Sequence, residues 1–210
     1  MRLRNVSGAK EKIEASKYIV LEPKENKGKW KKVFGNDNPI HIEIGMGKGK
    51  FIFEHALRDR DINFIGIEKF DSVMVRAIEK LEDVELDNLK LIRTDALKID
   101  EIFDKEIDTI YLNFSDPWPK NRHEDRRLSS EIFLKKYDNV FKSAKSIIMK
   151  TDNRKLFEFS LISFVNHGYK IEEISLDLHN DDYKDNIETE YETKFSNLGQ
   201  NIYMVKVSKM

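Results

Sequence analysis

Ile40 to Lys50 reads IHIEIGMGKGK, a short β-branched run that opens directly into three glycines spaced two apart. Isoleucines at 40, 42 and 44 predict a strand. Glycines at 45, 47 and 49 predict a tight turn whose backbone a ligand can approach closely. The apolar spacing that follows predicts a helix over about 49–59. Strand, glycine turn and helix in this order begin a βαβ unit, where ligands bind at the carboxyl ends of the strands.

Outward from this stretch the same alternation repeats. Further strands are predicted at 63–68 (NFIGIE), 88–94 (NLKLIRT), 108–114 (DTIYLNF), 145–151 (KSIIMKT), 169–178 (YKIEEISLDL) and 201–207 (NIYMVKV). Helices are predicted at about 71–83, 128–140 and 154–166, with a weaker one near 98–104. The pattern implies an α/β fold: a doubly wound, mostly parallel seven-stranded sheet. The connection 179–200 shows no apolar helical stripe, so the last two strands are expected to pair as an antiparallel hairpin with a long loop. Residues 1–38 read as a basic arm or a peripheral helix and loop, and 39–210 as one domain.

Of 210 residues, 36% are charged, yet the formal net charge is only −1. The sign is unevenly placed: residues 1–32 carry ten Lys or Arg against four Glu, and residues 172–192 one Lys against nine Asp or Glu. Contact with a polyanion is therefore expected through patches. No cysteine is present, which excludes disulfides, thiolate metal sites and a cysteine nucleophile. The five histidines fall at no zinc spacing and no G-x-S-x-G occurs, so no metal is expected. No apolar run is long enough to span a bilayer and the start lacks a signal-peptide core, which predicts a cytoplasmic protein without a membrane partner.

Each of the first five predicted strands ends on or beside an acidic residue: Glu43, Glu68, Asp95, Asp116 and Asp152. The glycine run E-x-G-x-G-x-G is not the dinucleotide fingerprint, because Lys50 stands where the third glycine belongs, and no G-K-[ST] makes it a P-loop. A carboxylate just before the first glycine suits a cationic ligand. Glu68 is placed to accept from ribose hydroxyls and Asp95 from an adenine amine. Together these demands describe S-adenosyl-L-methionine, held by Glu43, Gly45, Gly47, Gly49, Glu68 and Asp95. A nicotinamide dehydrogenase and a purely structural glycine turn are the competing readings.

The predicted fourth strand runs into NFSDPWPKNRHEDRRLSS, residues 113–130. Ser115 to Lys120, with Arg122-His123 and Arg126-Arg127-Leu128, resembles the signature of the bacterial tRNA (guanine-N7)-methyltransferases, the TrmB family. The resemblance extends over about 40–207, taking in Glu43 to Gly49, Glu68, Thr94-Asp95-Ala96, Lys150-Thr151-Asp152, Thr189 to Glu192 and Lys194-Phe195. One departure is Asp125, where that family usually has a basic residue.

The resemblance implies a class I, Rossmann-like methyltransferase that uses S-adenosyl-L-methionine. Its acceptor would be guanine 46 in the tRNA variable loop, with N7-methylguanine and S-adenosylhomocysteine as products. Carried over by position, Glu43, Glu68, Asp95 and Asp116 hold the cofactor or lie beside the methyl transfer, with Asp116 the catalytic residue; Lys120, Asp152, Thr189, Glu190, Tyr191 and Glu192 hold substrate, and Arg122, His123, Arg126 and Arg127 meet RNA. The partner is tRNA, and the chain is expected to act as a monomer or homodimer.

Guanine N7 presents an unprotonated lone pair, so the chemistry needs alignment rather than a base. Asp116 either stabilises the charge that develops on the purine or orients the base through an N–H. Lys120 would reach guanine O6 or a phosphate, and Asp152 the N1–H and amino edge. Trp118 offers a stacking face or packs on the sheet edge. The arginines contact backbone phosphates or pair with Glu124 and Asp125, and Tyr191 and Phe195 anchor the last loop or serve the base. Amino methylation of adenine fits less well, since D-P-W-P does not have the order D-P-P-[YFW]. A tRNA-binding module without catalysis would be expected to lack Glu43, the glycines or Asp116.

Overall fold

The computed structural model of the chain describes residues 7–181, 183 and 185–210; the first six residues of the predicted leader lie outside these. Seven strands, β1 (Ile40–Ile44), β2 (Asn63–Glu68), β3 (Leu89–Arg93), β4 (Ile107–Asn113), β5 (Phe141–Thr151), β6 (Lys170–Ser175) and β7 (Tyr203–Lys209), form one sheet in the order β3-β2-β1-β4-β5-β7-β6. The first five are mutually parallel. The last strand, β7, runs antiparallel to both β5 and β6 and lies between them. Strand order reverses between β1 and β4, which opens a crevice at their carboxyl ends.

Both faces of the sheet are covered, so its central strands are apolar almost throughout. One layer holds α1 (Ala9–Ala15), α3 (Lys50–Arg58) and α4 (Asp71–Glu79), packed through Ile13, Phe51, Ile52, Met74 and Ile78. The other holds α2 (Trp30–Phe34), α5 (Ile99–Ile102), α6 (Glu131–Val140) and α7 (Arg154–Asn166), packed through Trp30, Ile102, Tyr137 and Phe157. Asn153 starts α7 by accepting the Leu156 N–H at 2.9 Å, an N-cap that satisfies one free amide of the first turn.

The described part of the leader is tied to both layers. Trp30 is fully buried, its ring N–H donating to the Ile102 carbonyl at 3.0 Å. Farther upstream, Tyr18 accepts from the Leu91 N–H at 2.8 Å and Val20 donates to the Leu91 carbonyl at 3.0 Å. The leader thus covers the outer edge of β3, an edge that would otherwise offer unpaired backbone groups.

Several elements differ from the sequence expectation: β5 starts at Phe141 rather than 145, β6 ends at Ser175 rather than 178, and α4 ends at Glu79 rather than 83. The helix expected over 128–140 begins at Glu131, because Ser130 donates instead to the Asp125 carbonyl at 3.0 Å and Tyr137 holds the Leu128 carbonyl at 3.0 Å. The connection expected to be a loop contains α8 (Glu190–Ser196). No apolar stripe makes this helix; a capping box does. Thr189 Oγ1 accepts the Glu192 N–H at 2.9 Å while the Glu192 carboxylate accepts the Thr189 N–H at 3.4 Å.

Candidate active site

At the reversal point lies a cleft of about 610 Å³ whose walls include Gly45, Glu68, Asp95, Asp116, Trp118 and Arg126. Its size falls in the range of pockets that enclose a small molecule. Phe70, Leu97 and Ile132 also line it, and they are 42 to 47% exposed. Large apolar side chains left open in one concavity provide flat, dry contact for an aromatic ligand face.

The glycine turn shapes the cleft floor. Gly45, Gly47 and Gly49 have φ of 78°, 58° and 78°, the left-handed region that side chains disfavour. This folds the loop back so that the Gly45 and Met46 amides both donate to the Ile67 carbonyl, at 2.8 and 3.0 Å. The same close approach puts Gly66 where a Cβ would stand 2.3 Å from the Met46 sulfur, so a larger residue would force that side chain aside.

Three of the predicted cofactor carboxylates face the cleft, while the fourth, Glu43, sits beneath its floor. Glu68 is held by three backbone amides, from Gly47 at 3.2 Å, Lys69 at 2.9 Å and Phe70 at 3.0 Å. Burial raises its pKa and those amides oppose the rise. Asp95 caps a short helical turn by accepting the Leu97 N–H at 2.9 Å, leaving its other oxygen 3.7 Å from Lys69 Nζ.

Glu43 is 1% exposed and accepts from Asn113 Nδ2 at 2.9 Å. Burial pushes its carboxyl up to about 8, against the lowering effects of Asn113 and the nearby Lys150. Glu43 Oε2 and Asn113 Oδ1 are both buried without a donor among the described residues. With Glu43 ionised, these two adjacent oxygens under the glycine turn are acceptors that suit a ligand ammonium.

Asp116 is exposed on the cleft rim and carries no hydrogen bond among the described residues. The segment presenting it is strained on both sides: Phe114 has φ 49° and Trp118 φ 41°. Such conformations cost roughly 1–3 kcal/mol each and persist only when surrounding contacts enforce them. Arg127 supplies that enforcement, donating to the Pro117 and Trp118 carbonyls at 3.1 Å each and lying 4.3 Å over the Phe159 ring.

The structure therefore turns Arg127 inward, only 9% exposed, away from the RNA-facing surface on which the sequence places it. Its guanidinium is spent on loop carbonyls. Arg122 and Arg126 are exposed; neither forms an ion pair with Glu124 or Asp125 among the described residues. Arg126 lies 4.9 Å over the Trp118 ring, and His123 meets that ring edge-on at 6.0 Å. Trp118 thus lines the cleft. Lys120 is exposed, and Asp125, the residue that departs from the family pattern, lines the cleft.

Asp152 and Tyr191 do not line the cleft; they meet beside it, next to Phe114, where Tyr191 Oη donates to Asp152 Oδ2 at 2.9 Å. Burial and this bond push the phenol up to about 12, so it remains a donor at neutral pH. The Tyr191 ring lies 4.1 Å from Phe195 and 5.1 Å from Phe114. Thr189 and Glu192 form the cap of α8, and Glu190 pairs with Lys80. Glu192 is fully buried against Lys150. It and Thr189 hold α8 in place rather than face the cleft.

Sequence reasoning missed three contributors. Asn113, the last residue of β4, partners Glu43; a polar residue closing an apolar strand was its only signal. Phe114 packs against Tyr191 from a left-handed backbone that no motif announces. Lys150 interrupts the apolar run IIMKT, and a lysine in a buried strand is a signal that calls for a partner.

The sequence comparisons agree with this geometry. Residues 37–205 match a family described as "Putative methyltransferase". A tRNA (guanine-N(7)-)-methyltransferase of Lachnoclostridium phytofermentans is 52% identical over 97% of this chain and 96% of its own length. Another of the same name, from Bacillus subtilis, is 52% identical over 99% and 98%. Among solved structures, "Structure of an Antibiotic Related Methyltransferase" superposes with a TM-score of 0.64 at 19% identity, covering 87% of this chain and 92% of that one, a likeness of fold.

Proposed function

The chain belongs to the tRNA (guanine-N7-)-methyltransferase family, and from that premise we propose that it methylates N7 of guanine 46 in the tRNA variable loop. The donor is S-adenosyl-L-methionine and the second product S-adenosylhomocysteine. The observation that carries this reading is the convergence, on one cleft at the reversal of strand order, of Gly45, Glu68, Asp95 and Asp116.

The residues fit the donor. Glu43 and Asn113 offer buried acceptors for its ammonium, Glu68 accepts from ribose hydroxyls, Asp95 from the adenine amine, and Phe70, Leu97 and Ile132 flank the ring. When bound, the donor supplies an electrophilic methyl on a sulfonium. Asp116 holds negative charge at the rim, where positive charge spreads onto the purine as N7 attacks. Asp152 accepts from guanine N1–H and the amino group, an edge that adenine does not present. Lys120 donates to O6 or to a phosphate. No protein base takes a proton, because N7 has none to lose.

Trp118 presents a stacking face beneath Arg126, and Arg122, His123 and Arg126 meet the RNA backbone. The chain acts as a monomer or homodimer. The site of action is the cytoplasm, where tRNA is processed. Among the described residues no helix is long and apolar enough to cross a membrane, and no cluster of metal-binding side chains occurs.

Incubation with labelled S-adenosyl-L-methionine and unmodified tRNA, followed by chain cleavage at N7-methylguanine, tests this reading. Label at a single variable-loop guanine is expected. Label on adenine, or none, would overturn it.

A further inference from the structure

Beyond favouring the charge of the nearby Glu43 carboxylate, the ammonium of Lys150 has no role in the chemistry above. Lys150 lies on β5 two residues before Asp152, its side chain 4% exposed, a depth that lysine reaches only with strong partners. Nζ donates to Glu192 Oε2 at 2.5 Å, Asn186 Oδ1 at 2.9 Å and the Ile187 carbonyl at 2.8 Å. It also stands 5.0 Å over the Phe51 ring.

All three acceptors belong to the stretch 186–192, which leads into α8 and lacks an apolar stripe of its own. The remaining Glu192 oxygen accepts Asn186 Nδ2 at 2.7 Å and His179 Nε2 at 3.1 Å. One cation and one carboxylate thus gather three points of a segment that hydrophobic contact alone would hold poorly. The residue next to Glu192 is Tyr191, whose hydroxyl meets Asp152.

We propose that Lys150 is a positioning residue that docks the 186–196 segment on the sheet, so that Tyr191 and Asp152 are set for the acceptor base. It governs the affinity for RNA rather than the rate of transfer. This rests on the reading of Asp152 and Tyr191 as the acceptor side. A merely structural ion pair would lower stability throughout the fold. A docking residue loosens α8 selectively, because the other elements are held by the two apolar layers.

Lys150→Met, Glu192→Gln and the double variant separate these outcomes through amide hydrogen exchange and methylation kinetics with unmodified tRNA. In each, exchange across 190–196 should speed up about tenfold or more while α7 keeps its protection. KM for tRNA should rise about tenfold with kcat reduced less than about threefold. The double variant should be no worse than Lys150→Met, since both changes remove one contact.

Unchanged protection of α8, a fall in kcat at constant KM, or additive effects would overturn the proposal. If Lys150→Met does not fold, Glu192→Gln, which preserves volume, gives the same readings. Failure of the wild-type protein to methylate tRNA would remove the function proposed above, while the exchange measurement still decides whether Lys150 docks α8.

Discussion

Tyr191 donates its hydroxyl hydrogen to Asp152 at 2.9 Å across a sequence separation of 39 residues. The bond ties α8 to the end of β5, and the rings of Phe114 and Phe195 on either side of Tyr191 keep it aimed. One Asp152 oxygen is thereby satisfied, leaving the other to read a base. Tyr191→Phe retains the stack and removes the bond. KM for tRNA should rise about tenfold or more, the scale of one hydrogen bond to a charged group, with little change in melting temperature. Equal KM values for the two proteins in steady-state assays would mean that the bond orients nothing.

Asp116 is exposed and without a partner among the described residues, so its removal costs the fold little. Its place at the cleft rim predicts a large kinetic effect. Asp116→Asn keeps shape and loses charge, and should lower kcat by about 10² or more, the scale for loss of one preorganised electrostatic contact. Thermal unfolding should be unaltered. Near-normal turnover would remove Asp116 from the transfer step.

Glu43 titrates near 8, raised by burial, so at pH 7 it is largely protonated in the free protein. An ammonium brought beneath the glycine turn stabilises its carboxylate, so binding of S-adenosylhomocysteine should release a proton at pH 7. Affinity should then rise with pH until about 8. Calorimetry in buffers of different ionisation enthalpy reads this directly, and Glu43→Gln should abolish the release. The same shift acts on folding. The unfolded chain ionises first, so stability present below pH 4.5 is lost as pH rises towards 8. Denaturant titrations of Glu43→Gln should show a flatter profile over that interval; a slope equal to wild type would refute the shift.

Arg126 and Arg127 are neighbours with different work. Arg127→Ala strips the Pro117 and Trp118 carbonyls of their donor and should cost about 2–3 kcal/mol of stability, the scale for charged hydrogen bonds lost from a buried site. Arg126→Ala should leave stability within about 0.5 kcal/mol, as exposed substitutions do. It should reduce the salt slope of tRNA binding by about one unit. Urea melts and binding across a salt series separate the two; matching behaviour would contradict the inward turn of Arg127.

Much of the architecture was legible because its signals are local. IHIEI and NFIGIE appear as strands with the expected bounds, since consecutive β-branched residues bury both faces of a parallel sheet. The place of Asp95 and Asp116 on the cleft was legible from the rule that opens the crevice at strand ends. The loop 179–200 was misread because α8 has no apolar periodicity: its local signal is the capping box Thr189 to Glu192, and its anchor is Lys150, some 40 residues upstream. Arg127 was misread for a similar reason: one letter in a charged run does not say which guanidinium turns back towards its own carbonyls.

By itself the sequence determined the order of elements, the glycine turn and the carboxylates at the strand ends, because strand burial, left-handed backbone and strand exits each depend on near neighbours. Only the tertiary structure decided the pairing of Lys150 with Glu192, of Asn113 with Glu43 and of Tyr191 with Asp152. Those choices depend on which groups burial deprives of water, and a buried charge or amide takes whichever partner the fold brings within reach.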